Sequence, residues 1–282
     1  MIAKLFILLQ ILLPQHLISR ATGWLANCRW TPIKDFLIRS FIKAFKVEMH
    51  DYERQDASEF TSFNDFFTRQ LKDGVRPLPE DPTLLFSPVD GAVSQIGETL
   101  QGRLIQAKGR DYRLPDLLAD DALASRLEGG AFATLYLAPK DYHRIHMPFD
   151  GTLKQMIHVP GDLYSVNQIT AEGVHNLFAR NERVVCVFDT EHGEIAMVLV
   201  GAMVVASIST VWHGQVTPVT GVQRWNYTET QQIQLKRGQE MGSFALGSTV
   251  ILCTEPDRVE WNPQLASGDG LRLGQPLGQW SE

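Results

Sequence analysis

Arg183-Val184-Val185-Cys186-Val187-Phe188-Asp189, followed by Glu194-Ile195-Ala196-Met197-Val198-Leu199-Val200, is the stretch whose character decides the fold. Both runs are rich in β-branched and apolar residues, bounded by polar residues and glycine, and too short for typical helices. They predict strands, the second continuing to Ile208. Residues 131–137 and 249–254 have the same character, and 231–235 alternates. One helix is predicted over 114–127. The body therefore reads as mostly antiparallel β-structure with few helices.

Upstream the chain changes. Arg76-Pro77-Leu78-Pro79-Glu80-Asp81-Pro82 predicts an extended linker, because each proline biases its predecessor away from helix. It divides a helical, basic region, 1–75, from a β-rich domain, 76–282, and the fold class is α+β. Within the leader, 31–47 has the best helical rhythm. Thr31 can cap, Pro32 suits the first turn, and Ile33, Leu37, Phe41 and Phe45 recur every fourth residue. Phe36, Ile38 and Ile42 widen the stripe, while Lys34, Arg39, Lys43 and Lys46 fill much of the rest. Such a basic amphipathic helix suits a membrane surface, and an ordinary core-facing helix has the same pattern. A further helical segment is expected over 51–71, centred on Phe63-Asn64-Asp65-Phe66-Phe67.

Charge favours the membrane option. Net charge is −6 overall, yet residues 1–47 hold seven basic side chains and one acid. A +6 leader on a −12 body suggests attraction to something anionic, a lipid surface or nucleic acid. The apolar run 5–13 contains Gln10 and stops at Pro14, well short of the ~20 residues a spanning helix needs. Three widely spaced cysteines, Cys28, Cys186 and Cys253, form no CxxC pair and argue for a reducing compartment.

Three short segments carry possible chemistry. Phe86-Ser87-Pro88-Val89-Asp90-Gly91 frames an acid in a turn before a strand. Asp141-Tyr142-His143-Arg144-Ile145-His146-Met147-Pro148 places two histidines three residues apart. Gly242-Ser243-Phe244-Ala245-Leu246-Gly247-Ser248-Thr249 sets a serine after glycine at a strand entrance. Taken singly, each has an ordinary explanation: an Asp-Gly turn, a structural histidine pair with no third metal ligand, a Gly-Ser turn.

Together, in this order, they resemble the phosphatidylserine decarboxylases. Gly238-Gln239-Glu240-Met241-Gly242 and Leu163-Tyr164-Ser165-Val166-Asn167 add to the likeness, which runs from about Phe63 to the last strand. The resemblance implies a precursor cut between Gly247 and Ser248 into a β chain, 1–247, and an α chain, 248–282. Ser248 would become a covalent pyruvoyl cofactor, which decarboxylates phosphatidylserine to phosphatidylethanolamine through a Schiff base. It implies His146 as the base for self-cleavage, Asp90 as the acid orienting it, and His143 as proton donor after CO2 loss. Tyr136, Tyr142 and Ser165 are expected to line the headgroup pocket, and no metal is expected. The implied partners are phosphatidylserine, an anionic membrane surface, the two chains of one precursor and, as an option, a second copy in a homodimer, with no nucleic acid. A peripheral place on the cytoplasmic face of the inner membrane follows. Two other classes compete. Asp90, His146 and Ser248 occur in an order found in serine hydrolases, though no GxSxG elbow surrounds Ser248. A membrane adaptor would explain the leader and leave the three segments unexplained.

Overall fold

The computed structural model describes residues 2–107, 109–202, 207–217, 219–228, 231–245 and 248–281. Its centre is an antiparallel sheet. In spatial order it runs Gln223–Asn226, Gly151–Val159, Arg183–Thr190, Gly193–Val200, Ser248–Thr254, Ala131–Leu137, Gly91–Glu98 and Gly270–Leu271. Arg183–Thr190 and Gly193–Val200 form a hairpin closed at Thr190 and Gly193, whose φ of 97° suits glycine. Val184, Cys186 and Phe188 enter one core while Val185 and Val187 enter another. Both faces are covered, which is why the run is apolar throughout instead of alternating. The segment after Val200 leaves the sheet. Its next described strand, Ser207–Thr210, belongs to a second sheet ordered Gly214–Gln215, Ser207–Thr210, Glu240–Ala245, Arg144–His146.

The helix expected over 114–127 is two, Leu114–Leu118 and Asp121–Leu127. Ala119 between them is left-handed, and Asp120 caps the second by accepting from the Leu123 N–H at 3.0 Å. Segment 51–71 holds only a short turn at Ala57–Glu59 and a single helical turn and a half, Phe63–Phe67, capped by Ser62.

The leader forms Ile2–Leu12, Gln15–Ala26 and Thr31–Phe45. Among the described residues no single helix is long and apolar enough to cross a membrane; the first two together are, but they bend by 85°. Thr31–Phe45 departs from expectation. Its cap position is Trp30, not Thr31, and its stripe packs inward. Ile38 is buried, and Leu37, Phe41 and Ile42 join it against Phe60, Phe63, Phe66 and Phe67. Lys34, expected on the solvent side, is 5% exposed. It is paired with Asp35 and donates to the Ala57 carbonyl at 3.1 Å. Of the third helix's stripe, Phe36 and Phe45 stay exposed; the larger apolar exposure lies on the first two helices and the turn after them. Leu5, Leu8, Leu9, Ile11, Leu12, Leu17, Trp24 and Trp30 all face outward.

Candidate active site

Three neighbouring strands end together at one edge of the central sheet. Ser248 opens its strand opposite Leu137, and Thr249 lies between Tyr136 and Val200. Ala92 pairs with Tyr136, so Asp90 and Gly91 reach the same end. Ser248 is fully buried, and its Oγ has no hydrogen-bond partner. An unpartnered buried hydroxyl costs free energy, so it calls for a chemical reason. Only residues 246–247 join Ser248 to Glu240–Ala245, a strand of the other sheet. Gly247 itself lies outside the described residues.

His143 follows from the turn after Leu137. Its ring is buried against Phe67, centroids 4.1 Å apart, and its Nε2 faces the Ala138 carbonyl at 3.1 Å. A carbonyl only accepts, so Nε2 carries the hydrogen and Nδ1 is a bare lone pair. That Nδ1 is buried and unpartnered. Burial, and then the positive charge of Arg69, hold the imidazole down to about 3, firmly neutral.

His146 is held differently. Nδ1 faces the Gly238 carbonyl at 2.8 Å, so it carries the hydrogen, and Nε2 accepts from the Tyr142 hydroxyl at 2.9 Å. Burial lowers its pKa, opposed by the Gly238 bond and nearby carboxylates. Both nitrogens are occupied.

Asp90 does not orient His146 through a hydrogen bond among the described contacts. Its carboxylate takes Arg76 Nη2 at 2.7 Å and Nε at 3.0 Å, and accepts from the Leu273 N–H at 2.8 Å. The loop still abuts the histidine strand, because the Pro88 carbonyl accepts from the His146 N–H at 2.9 Å. The motifs therefore converge, but the acid's partner is an arginine. Sequence reasoning had no signal for this, since Arg76 sits within the proline linker.

The expected pocket residues are spread out. Tyr136 lines a cavity of about 620 Å³ with Gln106, Val166, Gln168 and Ala171. By strand alternation its side chain faces the opposite side of the sheet from Ser248. Tyr142 is with His146 instead. Ser165 adjoins the cavity through Val166, and its N–H is bonded by Gln10 of the leader at 2.8 Å. A second, polar cavity of about 380 Å³ is lined by Asp90, Arg76, Asp141 and Arg272. Arg69, also unforeseen, is 1% exposed. Its Nη2 donates to the Tyr52 hydroxyl and to the Lys140 and Asp141 carbonyls at 3.0, 2.9 and 3.2 Å, fastening the turn that carries His143. Among the described residues no cluster of three or more His, Cys, Asp or Glu could hold a metal ion.

Comparison with known proteins gives one family. The family model described as phosphatidylserine decarboxylase matches residues 63–279, and one described as PSD matches residues 5–46. A phosphatidylserine decarboxylase proenzyme of Azotobacter vinelandii is 54% identical over 282 residues, covering 99% of each chain. Proenzymes of that name from Stutzerimonas stutzeri and Pseudomonas aeruginosa PAO1 are each 52% identical. They align over 98% and 97% of this chain, and over 94% and 96% of their own.

Proposed function

The chain belongs to the phosphatidylserine decarboxylase family, and on that premise we propose that it cuts itself before Ser248 and decarboxylates phosphatidylserine to phosphatidylethanolamine. The observation that carries the proposal is the buried, unpartnered Ser248 Oγ, three residues beyond a strand of the other sheet. In the first stage Oγ bonds to the Gly247 carbonyl carbon as the peptide C–N bond breaks, and the freed nitrogen takes the proton. Glycine at 247 keeps the approach open. Holding nucleophile and carbonyl together can supply ~7–11 kcal/mol of the barrier, more than a general base adds. Loss of the Ser248 α-proton then expels the Gly247 carboxylate, and water displaces ammonia to leave a pyruvoyl group on the shorter chain.

The residues fit such a group, since residue 248 is a buried strand end opposite Leu137, from which the turn to His143 departs. A pyruvoyl group supplies a ketone for the substrate amine and an electron sink for CO2 loss. The surrounding side chains do the rest. His143, once protonated at Nδ1, would give its proton to the substrate carbon that CO2 has left, and an anionic headgroup beside it would raise its pKa towards the working range. Tyr136 and Ser165 would flank the headgroup. His146 would be the base of self-cleavage, with Tyr142 yielding Nε2, and Asp90 would act through the loop contact at Pro88. The bare Nδ1 of His143 favours a second assignment, in which His143 serves both stages.

The leader would hold the enzyme at the cytoplasmic face of the inner membrane. What supports this is the outward apolar surface of the first two helices beside exposed Lys4, Arg20 and Arg29. The deciding experiment is an intact-mass measurement. Wild type should give chains of 1–247 and 248–282, the second with a carbonyl in place of its amino group. Ser248→Ala should stay whole. Wild type that is active yet uncut, with an ordinary serine at 248, refutes the proposal and leaves the serine hydrolase.

A further inference from the structure

Gln10 is a polar side chain in the last turn of the most apolar helix of the leader, and it is 3% exposed. Its Oε1 accepts from the Ser165 N–H at 2.8 Å and its Nε2 donates to Thr170 Oγ1 at 3.3 Å. Gln15, just past the bend, accepts from the Leu163 N–H at 2.6 Å and donates back to the Gln10 carbonyl at 2.8 Å. Ile7 meets Gly173 so closely that a Cβ there would collide with it. The leader is thus stitched to segment 162–173. That same segment supplies Val166, Gln168, Ala171 and Glu172 to the wall of the 620 Å³ cavity that holds Tyr136. Backbone N–H groups of an irregular loop need partners, and here two come from a bent helix pair whose outer face is exposed and apolar.

We propose that Gln10 and Gln15 are positioning residues that couple the leader's seating on a lipid surface to the shape of the substrate cavity. A leader shifted by the bilayer carries the 163–170 wall with it, so the cavity is set to its working shape only where the lipid is. The coupling rests on the decarboxylase assignment; the hydrogen bonds do not.

Gln10→Leu/Gln15→Leu keeps size and removes only the amide groups, so self-cleavage and sedimentation with phosphatidylserine vesicles should match wild type. Hydrogen exchange at the amides of Leu163 and Ser165 should accelerate while the central strands stay protected. KM for vesicle phosphatidylserine should rise roughly five- to twentyfold, the worth of one or two lost hydrogen bonds, with kcat little changed. Gln15→Glu, which keeps an acceptor for Leu163, should restore protection there where Gln15→Leu does not. Unchanged exchange at 163 and 165 overturns the tether. Faster exchange with unaltered KM reduces it to scaffolding and overturns the coupling. A wild type inactive on phosphatidylserine would refute the decarboxylase assignment, and the coupling with it. The exchange data would still settle whether the tether exists.

Discussion

Arg76→Met in the uncut Ser248→Ala chain isolates what the arginine does. Arg76 and Asp90 are 8% and 9% exposed at their side chains and meet at 2.7 Å; Asp51 takes a third bond at 2.8 Å. Burial opposes the arginine's charge, and the two carboxylates outweigh it, so its pKa is raised. Removing the cation leaves Asp90 charged, buried and held only by the Leu273 N–H. Breaking a buried pair from one side costs about 3–5 kcal/mol, a large part of a typical folding free energy. For a chain of this size that is a fall of about 6–20 °C in Tm. Adding Asp90→Asn removes the stranded charge and should recover at least half of the loss. Melting followed by circular dichroism at one scan rate measures both. A single variant within about 1 °C of its parent, or no recovery in the double, refutes the claim that Arg76 neutralises Asp90.

His143→Ala and His146→Ala divide the two histidines: with the proposed roles, His143→Ala is cut but releases little CO2, whereas His146→Ala stays whole on a gel. Failure of His143→Ala to be cut would move the self-cleavage base to the bare Nδ1. The pKa of His143 lies near 3 in the folded chain, below the ordinary imidazole value. Its contribution is therefore complete above about pH 6.5 and lost as pH falls towards 3, at about 1.4 kcal/mol per unit. In the Ser248→Ala background, unfolding free energies from urea titrations at pH 7 and pH 5 should differ by about 2 kcal/mol more with His143 than with His143→Gln; equal pH sensitivity contradicts its burial as a neutral ring. Gly91→Ala should cost about 1–3 kcal/mol and slow maturation, since a Cβ there collides with the Tyr136 carbonyl; a normal melting curve would refute that close approach. Arg39, Lys43 and Lys46 changed to Gln should weaken sedimentation with anionic vesicles, whereas Leu5, Leu9 and Leu12 changed to Ser should weaken what survives high salt. Unaltered binding in both sets counts against the leader as the docking surface.

The β body was legible because its strands are apolar on both faces, and a short run such as Val184 to Phe188 has no competing helical rhythm. Ala119 was not: nothing in 114–127 marks the left-handed residue that splits the helix. Thr31–Phe45 shows the limit of amphipathicity. A stripe of Leu37, Ile38, Phe41 and Ile42 declares that one face is dry, but not whether lipid or protein dries it. The phenylalanines that claim it lie up to 30 residues away, at Phe60 to Phe67. The candidate site was legible as three motifs, because Asp-Gly, paired histidines and Gly-Ser-Thr each leave a local mark. Their supports were not. Arg69, Arg76 and Gln10 act through contacts that only the folded chain creates, and surface residues of those types look the same in sequence.

Ser248–Thr254 lies in the interior of the sheet, flanked by Ala131–Leu137 and Gly193–Val200. A cut at its first residue would turn one molecule into a heterodimer without loosening anything. The 248–282 piece keeps two full ladders of hydrogen bonds, and by itself it holds only the pairing of Val259–Trp261 with Pro276–Trp280. Its departure would then be a dissociation, so the cut protein's unfolding midpoint would shift with dilution, while that of the uncut chain would not. Made separately, the two pieces would have to find each other through an open slot between strands, a slow bimolecular search. Folding first and cutting afterwards turns that search into an intramolecular event.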